Sequence, residues 1–552
     1  MARRNLVTGG IALWGAGAAA QTAPKQGENA GANVFNLRQL GAIADGKTLN
    51  TAIFAKAFAL CASAHGGTVH VPAGEYLTGP ILLGSNTALD LAPGAVIKGS
   101  PNFSDYQTEP GALSSEIERA GLVTARHADN VAITGFGVID GNGLAFHKQM
   151  LRPFRDWDPR YTRQKEGFMA PDFGTETGPL DHGERPGNLI RFIDCRGVLL
   201  DGVTIQNSPT WTIHVNRCRD VRVRGLNVNS DASNRRIPND DGMDFSDSTD
   251  IRISDCRIRT GDDCISVFGS RNMVVTNCNL ASRSSGIRVG YDAGETRNCL
   301  FQNITVDSNC GLKVNVRGSG SVEDVLFSNI TIRAVLTSGK WWGRGEPIHV
   351  SSVRLRKEVP LNRLRRIWFE NIMAQSESGI LLYGSPDGPL EDVSMENVQL
   401  HISLSKLQSG YGGNFDLRGV ADLTQAVFQH DISAIYFRHM RGLRLNKIRV
   451  SWDDGMPECF THLMEGEEFQ DLAVASLEGR QAQAGQGTVL ALRNGSGVAI
   501  RDCVAAPGAG VFLALDHVAD QRLFVNNDLG RARTVFEPAN SAFTQSGNLL
   551  PR

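Results

Sequence analysis

TDIRISDCRI at 249–258 and RNMVVTNCNL at 271–280 are two copies of one phrase, 22 residues apart. Each begins on a polar or glycine residue, runs apolar-x-apolar-x-polar, and then adds a second short apolar alternation. The phrase returns as DNVAITGFGV (129–138), RGVLLDGVTI (196–205), RDVRVRGLNV (219–228), RNCLFQNITV (297–306), EDVLFSNITI (323–332) and RRIWFENIMA (365–374). Weaker copies follow as EDVSMENVQL (391–400), RGLRLNKIRV (441–450) and SGVAIRDCVA (496–505). From 196 to 323 the starts advance by 23, 30, 22, 26 and 26 residues, too short a step for a strand, a crossover helix and a second strand. A fixed period with alternating apolar residues is the signature of a solenoid. Period-2 alternation sends one side chain inward and the next outward. The chain is therefore expected to be all-β: a single-stranded, right-handed parallel β-helix (β-solenoid), the hand following from the general crossover rule. Asn277, Asn303, Asn329, Asn371 and Asn397 recur at one register and predict an internal polar ladder.

Composition agrees. The 552 residues exceed what one small core needs, and 60 glycines with 7% aromatics favour short strands and turns. At net charge −2 there is no basic footprint for nucleic acid. TAIFAKAFALCASA (51–64) is the one clear amphipathic helix, with Ile53, Phe54, Ala57, Phe58 and Cys61 on one side, and is read as the N-terminal cap that an open solenoid end requires. Breaks in the repeat mark long loop insertions near 146–187, 335–360 and 401–438, which would border a cleft.

Residues 1–20, MARRNLVTGGIALWGAGAAA, read as a twin-arginine-like export signal, with Arg3 and Arg4 ahead of a weakly apolar run and a small-residue cleavage site. Residues 21–34 are a linker and 35–552 one β-helix domain. Its N-terminal cap is set at about 35–105, catalytic rungs at about 196–335 and C-terminal rungs up to 538. No run of about 18 apolar residues follows the signal, so a periplasmic or secreted monomer, free of membrane, is expected. Cys256, Cys278 and Cys503 share one repeat position, which suits stacked core thiols better than a disulfide framework.

The chemistry lies in two acidic stretches, NDDGMD (239–244) and GDDCIS (261–266). Asp241 precedes Asp262 by 21 residues and Asp263 by 22, one coil in each case, so stacking brings the acids within about one rung, roughly 5 Å. The expected result is a solvent-facing patch in which one carboxyl keeps its proton, with a spacing of about 6.5–9.5 Å if a water is to enter between acid and base. Strict alternation would bury one member of the Asp262–Asp263 doublet, so a bulge or strand-end bend is expected at Gly261. Glycosidic acid/base chemistry, calcium ligation and ordinary Asp-rich turns all fit these residue types.

At this point the chain resembles the polygalacturonase-like glycoside hydrolases of family 28. The likeness runs over about 35–400 and includes FNLRQLGAIADGKT, GGTVHVPAGEYLTGPILL, LDLAPGAVIKGS, GVIDGNG and NSPTWTIH. NDDGMD resembles the family's Asn-Thr-Asp-Gly-Ile-Asp, and GDDCIS its Gly-Asp-Asp-Cys-Ile. The resemblance implies a hydrolase acting on pectic polysaccharide or oligosaccharide with inversion. It makes Asp262 the general acid, has Asp241 and Asp263 share the attacking water, and gives Asn239 an orienting role. It implies no metal and no cofactor. The chain departs from the family where SSG (284–286) puts Ser285 at the family's histidine, and where KVN (313–315) puts Lys313 and Asn315 at its arginine and lysine. Rhamnogalacturonan-type substrates enter for that reason. Lys313, Arg288, Ser285 and His214 complete the candidate substrate contacts, with Arg317 and the Trp341–Trp342 pair nearby. A polysaccharide lyase and an inactive carbohydrate-binding solenoid are the alternatives.

Overall fold

The computed structural model describes residues 33–106, 119–148, 156–168, 181–230, 237–339, 341–539 and 542–551. The proposed export signal lies outside these residues, as does nearly all of the linker. Thirty-seven strands join in one hydrogen-bonded parallel network, so the chain is a parallel β-helix. The helix Thr51–Ser63 packs Phe54, Ala57, Phe58 and Cys61 against its first coils. Strands run on past the expected limit of 538, to Thr544–Ser546.

Each coil meets the next in register. Ile213 pairs with Met243, Met243 with Ile265, Ile265 with Ile287, and Ile287 with Leu312, and every one of these side chains is buried. Burying each contributes roughly 1.5–3 kcal/mol, so the rod is held together by rows, not by a central cluster. Phe301, Phe327 and Phe369 form one such row, their rings stacked at 5.0 and 5.1 Å. All ten cysteines are buried and unbridged.

The asparagine ladder exists, but on the outside. Asn303 donates to Asn277, Asn329 to Asn303 at 3.3 Å, Asn371 to Asn329 at 3.1 Å and Asn397 to Asn371 at 2.8 Å, all on exposed side chains. The reason is the backbone: each of these residues has φ between 53° and 56°. Left-handed conformation is tolerated best by Gly, Asn and Asp, and it turns the chain at a corner of the coil, where the side chain points out. The recurrent Asn of the repeat is thus a corner residue.

The insertions fold against the outer face. His147–Lys148 pairs antiparallel with Asp181–His182. The segment 403–434 carries the hairpin Asn414–Asp416 with Val427–Gln429. Phe415 of that hairpin stacks on Tyr436 at 5.6 Å, and Phe428 meets Tyr383 at 6.0 Å, so the hairpin covers the outward face of the rungs at 380–383 and 435–438.

Asn371→Ala would keep the left-handed corner without a residue suited to it and would lose two ladder bonds. A loss of about 1–2 kcal/mol is expected, with Asn371→Gly recovering part of it, read as a shift of the urea midpoint at constant slope.

Candidate active site

Asp241 and Asp263 lie side by side on adjacent coils. The Gly242 amide donates to the Asp263 carbonyl at 2.9 Å, and Met243 pairs with Ile265, which fixes the register two residues earlier. Residues 261–263 form the bend between strands Arg257–Thr260 and Ile265–Phe268, so the doublet escapes strict alternation at a strand end. Asp240 holds that bend. Its Oδ2 accepts from the Gly261 amide at 3.0 Å and its Oδ1 from the Asp262 amide at 2.8 Å. A side chain at Gly261 would meet Asp240 Oδ1 at 2.7 Å and the Trp341 ring at 2.9 Å, so only glycine fits.

One carboxylate oxygen from each of Asp241, Asp262 and Asp263 lies within 4.8 Å of the others. The register is direct, and the bend brings Asp262 back toward the pair. The patch is not open to solvent as expected. Asp241 and Asp263 are buried, while Asp262 is partly exposed. Asp263 is held on every side: Oδ1 accepts from Ser284 Oγ at 3.0 Å and from the Ser285 amide at 2.9 Å, and Oδ2 from Arg288 Nη1 at 2.9 Å. Burial, then Asp263, pushes Asp262 up to about 6, with Arg288 pulling the other way. Burial, then Asp244, Asp262 and Asp263, holds Asp241 well above the usual carboxylate range.

Asp244, unremarked in the sequence reading, is a fourth acid. It is fully buried, faces Ser266 on the next rung, and is raised by burial and by Asp263, with Ser266 pulling the other way. Its place follows from a row on the outward face, in which His214, Asp244, Ser266, Arg288, Lys313 and His349 succeed one another rung by rung. The cleft changes sign along this row, from acids to cations.

The other expected contacts divide. His214 is buried, bonded through Nδ1 to Asn188 at 3.1 Å and through Nε2 to Ser246 at 3.1 Å, and pushed down to about 3 by burial, then by Arg191 and Arg217. Both ring nitrogens already have protein partners. Asn239 is exposed and accepts from the buried Arg185, which also binds the Pro209 and Pro238 carbonyls. Arg288, expected as a substrate contact, is buried and ion-paired with Asp263. Lys313 is fully buried, its ammonium without a hydrogen-bond partner among the described residues, and burial lowers its proton affinity. Asn315 and the Ser285 hydroxyl are likewise buried and unpartnered. Trp342 sits over both cations, 4.8 Å from Arg288 and 5.3 Å from Lys313, while Trp341 is buried against the rod.

Beyond Lys313 the cleft is filled. Arg317 donates to the Leu417 carbonyl at 3.2 Å and Gly343 to Asp416 at 2.8 Å. Arg418 binds Asp416 at 2.7 Å and Asp156 at 3.1 Å, and lies over Trp157. Three insertions therefore lock into one block.

Two groups have metal-like spacing. Cys310, Glu346 and His349 approach within 4.8 Å, but Glu346 already accepts from the Arg344 and Asp416 amides, and the Lys313 and Arg317 charges bear on His349. In the aspartate trio both oxygens of Asp263 already accept hydrogen bonds, one of them from Arg288. Neither donor set fits a divalent ion well.

The family model for glycosyl hydrolases family 28 matches residues 61–410. A probable polygalacturonase of Vitis vinifera is 25% identical over 404 residues, 67% of this chain and 75% of that protein. The family 28 exopolygalacturonase of Yersinia enterocolitica has a similar fold, with TM-score 0.55 and 20% identity over 81% of this chain and 78% of its own. The exopolygalacturonase of Thermotoga maritima gives TM-score 0.53 and 24% identity over 67% and 87%.

Asp240→Ala would leave the Gly261 and Asp262 amides without their acceptor. A stability loss of about 1–3 kcal/mol is expected by chemical denaturation.

Proposed function

Because the chain belongs to glycosyl hydrolases family 28, we propose that it hydrolyses uronate-containing pectic chains, with Asp262 as general acid and Asp241 and Asp263 sharing the attacking water. The observation that carries this reading is the trio itself, with one oxygen of each carboxylate within 4.8 Å of the others, in which Asp262 is the partly exposed member and both it, at about 6, and Asp241 are held above the usual carboxylate range. Acids so close titrate as a unit. One must stay neutral to donate to the leaving oxygen while another carries charge. The Arg288 guanidinium gives Asp263 a counter-ion, which supports Asp263 as the charged partner.

Inversion is the preferred stereochemistry, since the reading has an activated water and no covalent intermediate. Proton NMR of the first-formed product tests it, and a retained anomer would overturn it.

Lys313 supports recognition of a carboxylate. It is a buried ammonium with no hydrogen-bond partner among the described residues, under Trp342, and Asp416 offsets its charge without direct contact. A substrate carboxylate would give that charge a partner. The block beyond Lys313 supports attack at a chain end, since a polymer could not continue over the covered rungs. Homogalacturonan and rhamnogalacturonan-type chains remain the two substrate candidates. Residues 35–552 are read as one domain, acting as an exported monomer after removal of 1–20. Among the described residues no helix is long and apolar enough to cross a membrane.

Three measurements test this. On polygalacturonate and rhamnogalacturonan oligosaccharides, Asp262→Asn should lower kcat about 10²–10⁴-fold with folding intact. The general acid is competent only while protonated and the base only while ionised, so kcat should fall as pH rises through about 6 and fall again toward lower pH. Lys313→Met should raise KM for uronate substrates more than it lowers kcat, and release of mainly single sugars should mark chain-end attack. Loss of none of the activity in Asp262→Asn would refute the assignment.

A further inference from the structure

We propose that Arg288 is the positioning residue for the Asp263 carboxylate, setting both its orientation and the protonation split of the acids around it. This rests on the hydrolase reading above. Arg288 stands one rung after Ser266 and reaches back to Asp263, Nη1 to Oδ2 at 2.9 Å, with side-chain exposures of 9% and 1%. Its guanidinium is stacked between rings: Tyr291 at 4.4 Å, Trp342 at 4.8 Å and Phe268 at 5.9 Å. Aromatic walls of this kind fix the plane of a guanidinium and so aim its edge. Two more donors come from the same short segment, Ser284 Oγ and the Ser285 amide. Residues 284–288 thus form a three-point cradle for one carboxylate.

The charges facing Arg288 come from both directions along the rod. Asp241, Asp244, Asp262 and Asp263 lie on the earlier rungs, Lys313, Arg317 and His349 on the later ones, and the Tyr291 hydroxyl is on its own. Arg288 stands where the sign changes. Removing its charge takes away the ion-pair partner of Asp263 and the cation that bears on Asp241, Asp244 and Asp262, so both the base and the general acid should bind protons more tightly.

Arg288→Gln and Arg288→Lys test the assignment, after circular dichroism and thermal melts show both variants folded. In Arg288→Gln, kcat should fall at least about tenfold with KM changed less than about threefold. Both limbs of the kcat–pH profile should move up by about half a unit or more. Arg288→Lys should return the limbs toward wild type while recovering only part of kcat, because an ammonium lacks the fork. A rise in KM with unmoved limbs would overturn the proposal. A second readout needs no substrate: carboxyl-¹³C NMR titration of aspartate-labelled protein, with Asp263→Asn assigning the signal. The Asp263 midpoint should rise in Arg288→Gln, and an unmoved midpoint would also overturn the proposal. A wild-type protein inactive on every pectic substrate, but with a moving midpoint, would sink the hydrolase reading and leave the pair standing.

Discussion

In-register stacking is the constraint from which everything else follows. A rung spacing of about 4.8 Å puts each residue beside its counterpart one coil away, whatever its chemistry. For Met243, Ile265 and Ile287 this gives a continuous apolar row. For Asp241 and Asp263 the same geometry forces two like charges together, and the bend at Gly261 adds a third. The rod cannot separate the acids without changing register. A one-residue slip would in turn expose every buried row.

The surrounding protein accommodates the crowding in two ways. Asp240 spends its own carboxylate on the Gly261 and Asp262 amides, so its charge is hydrogen-bonded at the bend. The segment 284–288 then meets Asp263 with a hydroxyl, an amide and a guanidinium. What is left uncompensated is Asp241, Asp244 and the partly exposed Asp262, whose raised proton affinities come from burial first and mutual repulsion second. Perturbation of this sort marks functional sites more often than structural ones.

The solenoid was legible in the sequence because its period is written in residues that repeat: Val, Ile and Phe inward, Asn at the corners. The superposition of Asp241 and Asp263 was legible for the same reason, as a 22-residue interval. What sequence did not disclose was how the insertions cover the rod. Exposure of the acid patch, the fate of Arg288 and the burial of Lys313 all depend on Trp341, Trp342 and the 414–418 segment, which carry no period and reach the site from far along the chain. Asp240 and Asp244 were overlooked among their acidic neighbours. Spacing held a signal for both, since Asp240 lies 21 residues before Gly261 and Asp244 lies 22 before Ser266. The asparagine ladder was seen but turned inside out, because alternation says nothing of φ.

The block that Arg418, Asp416 and Asp156 tie together joins two insertions 262 residues apart in sequence through one buried guanidinium. A single side chain thus closes a loop of chain far longer than any coil, and neither insertion can lift from its partner without leaving that charge behind.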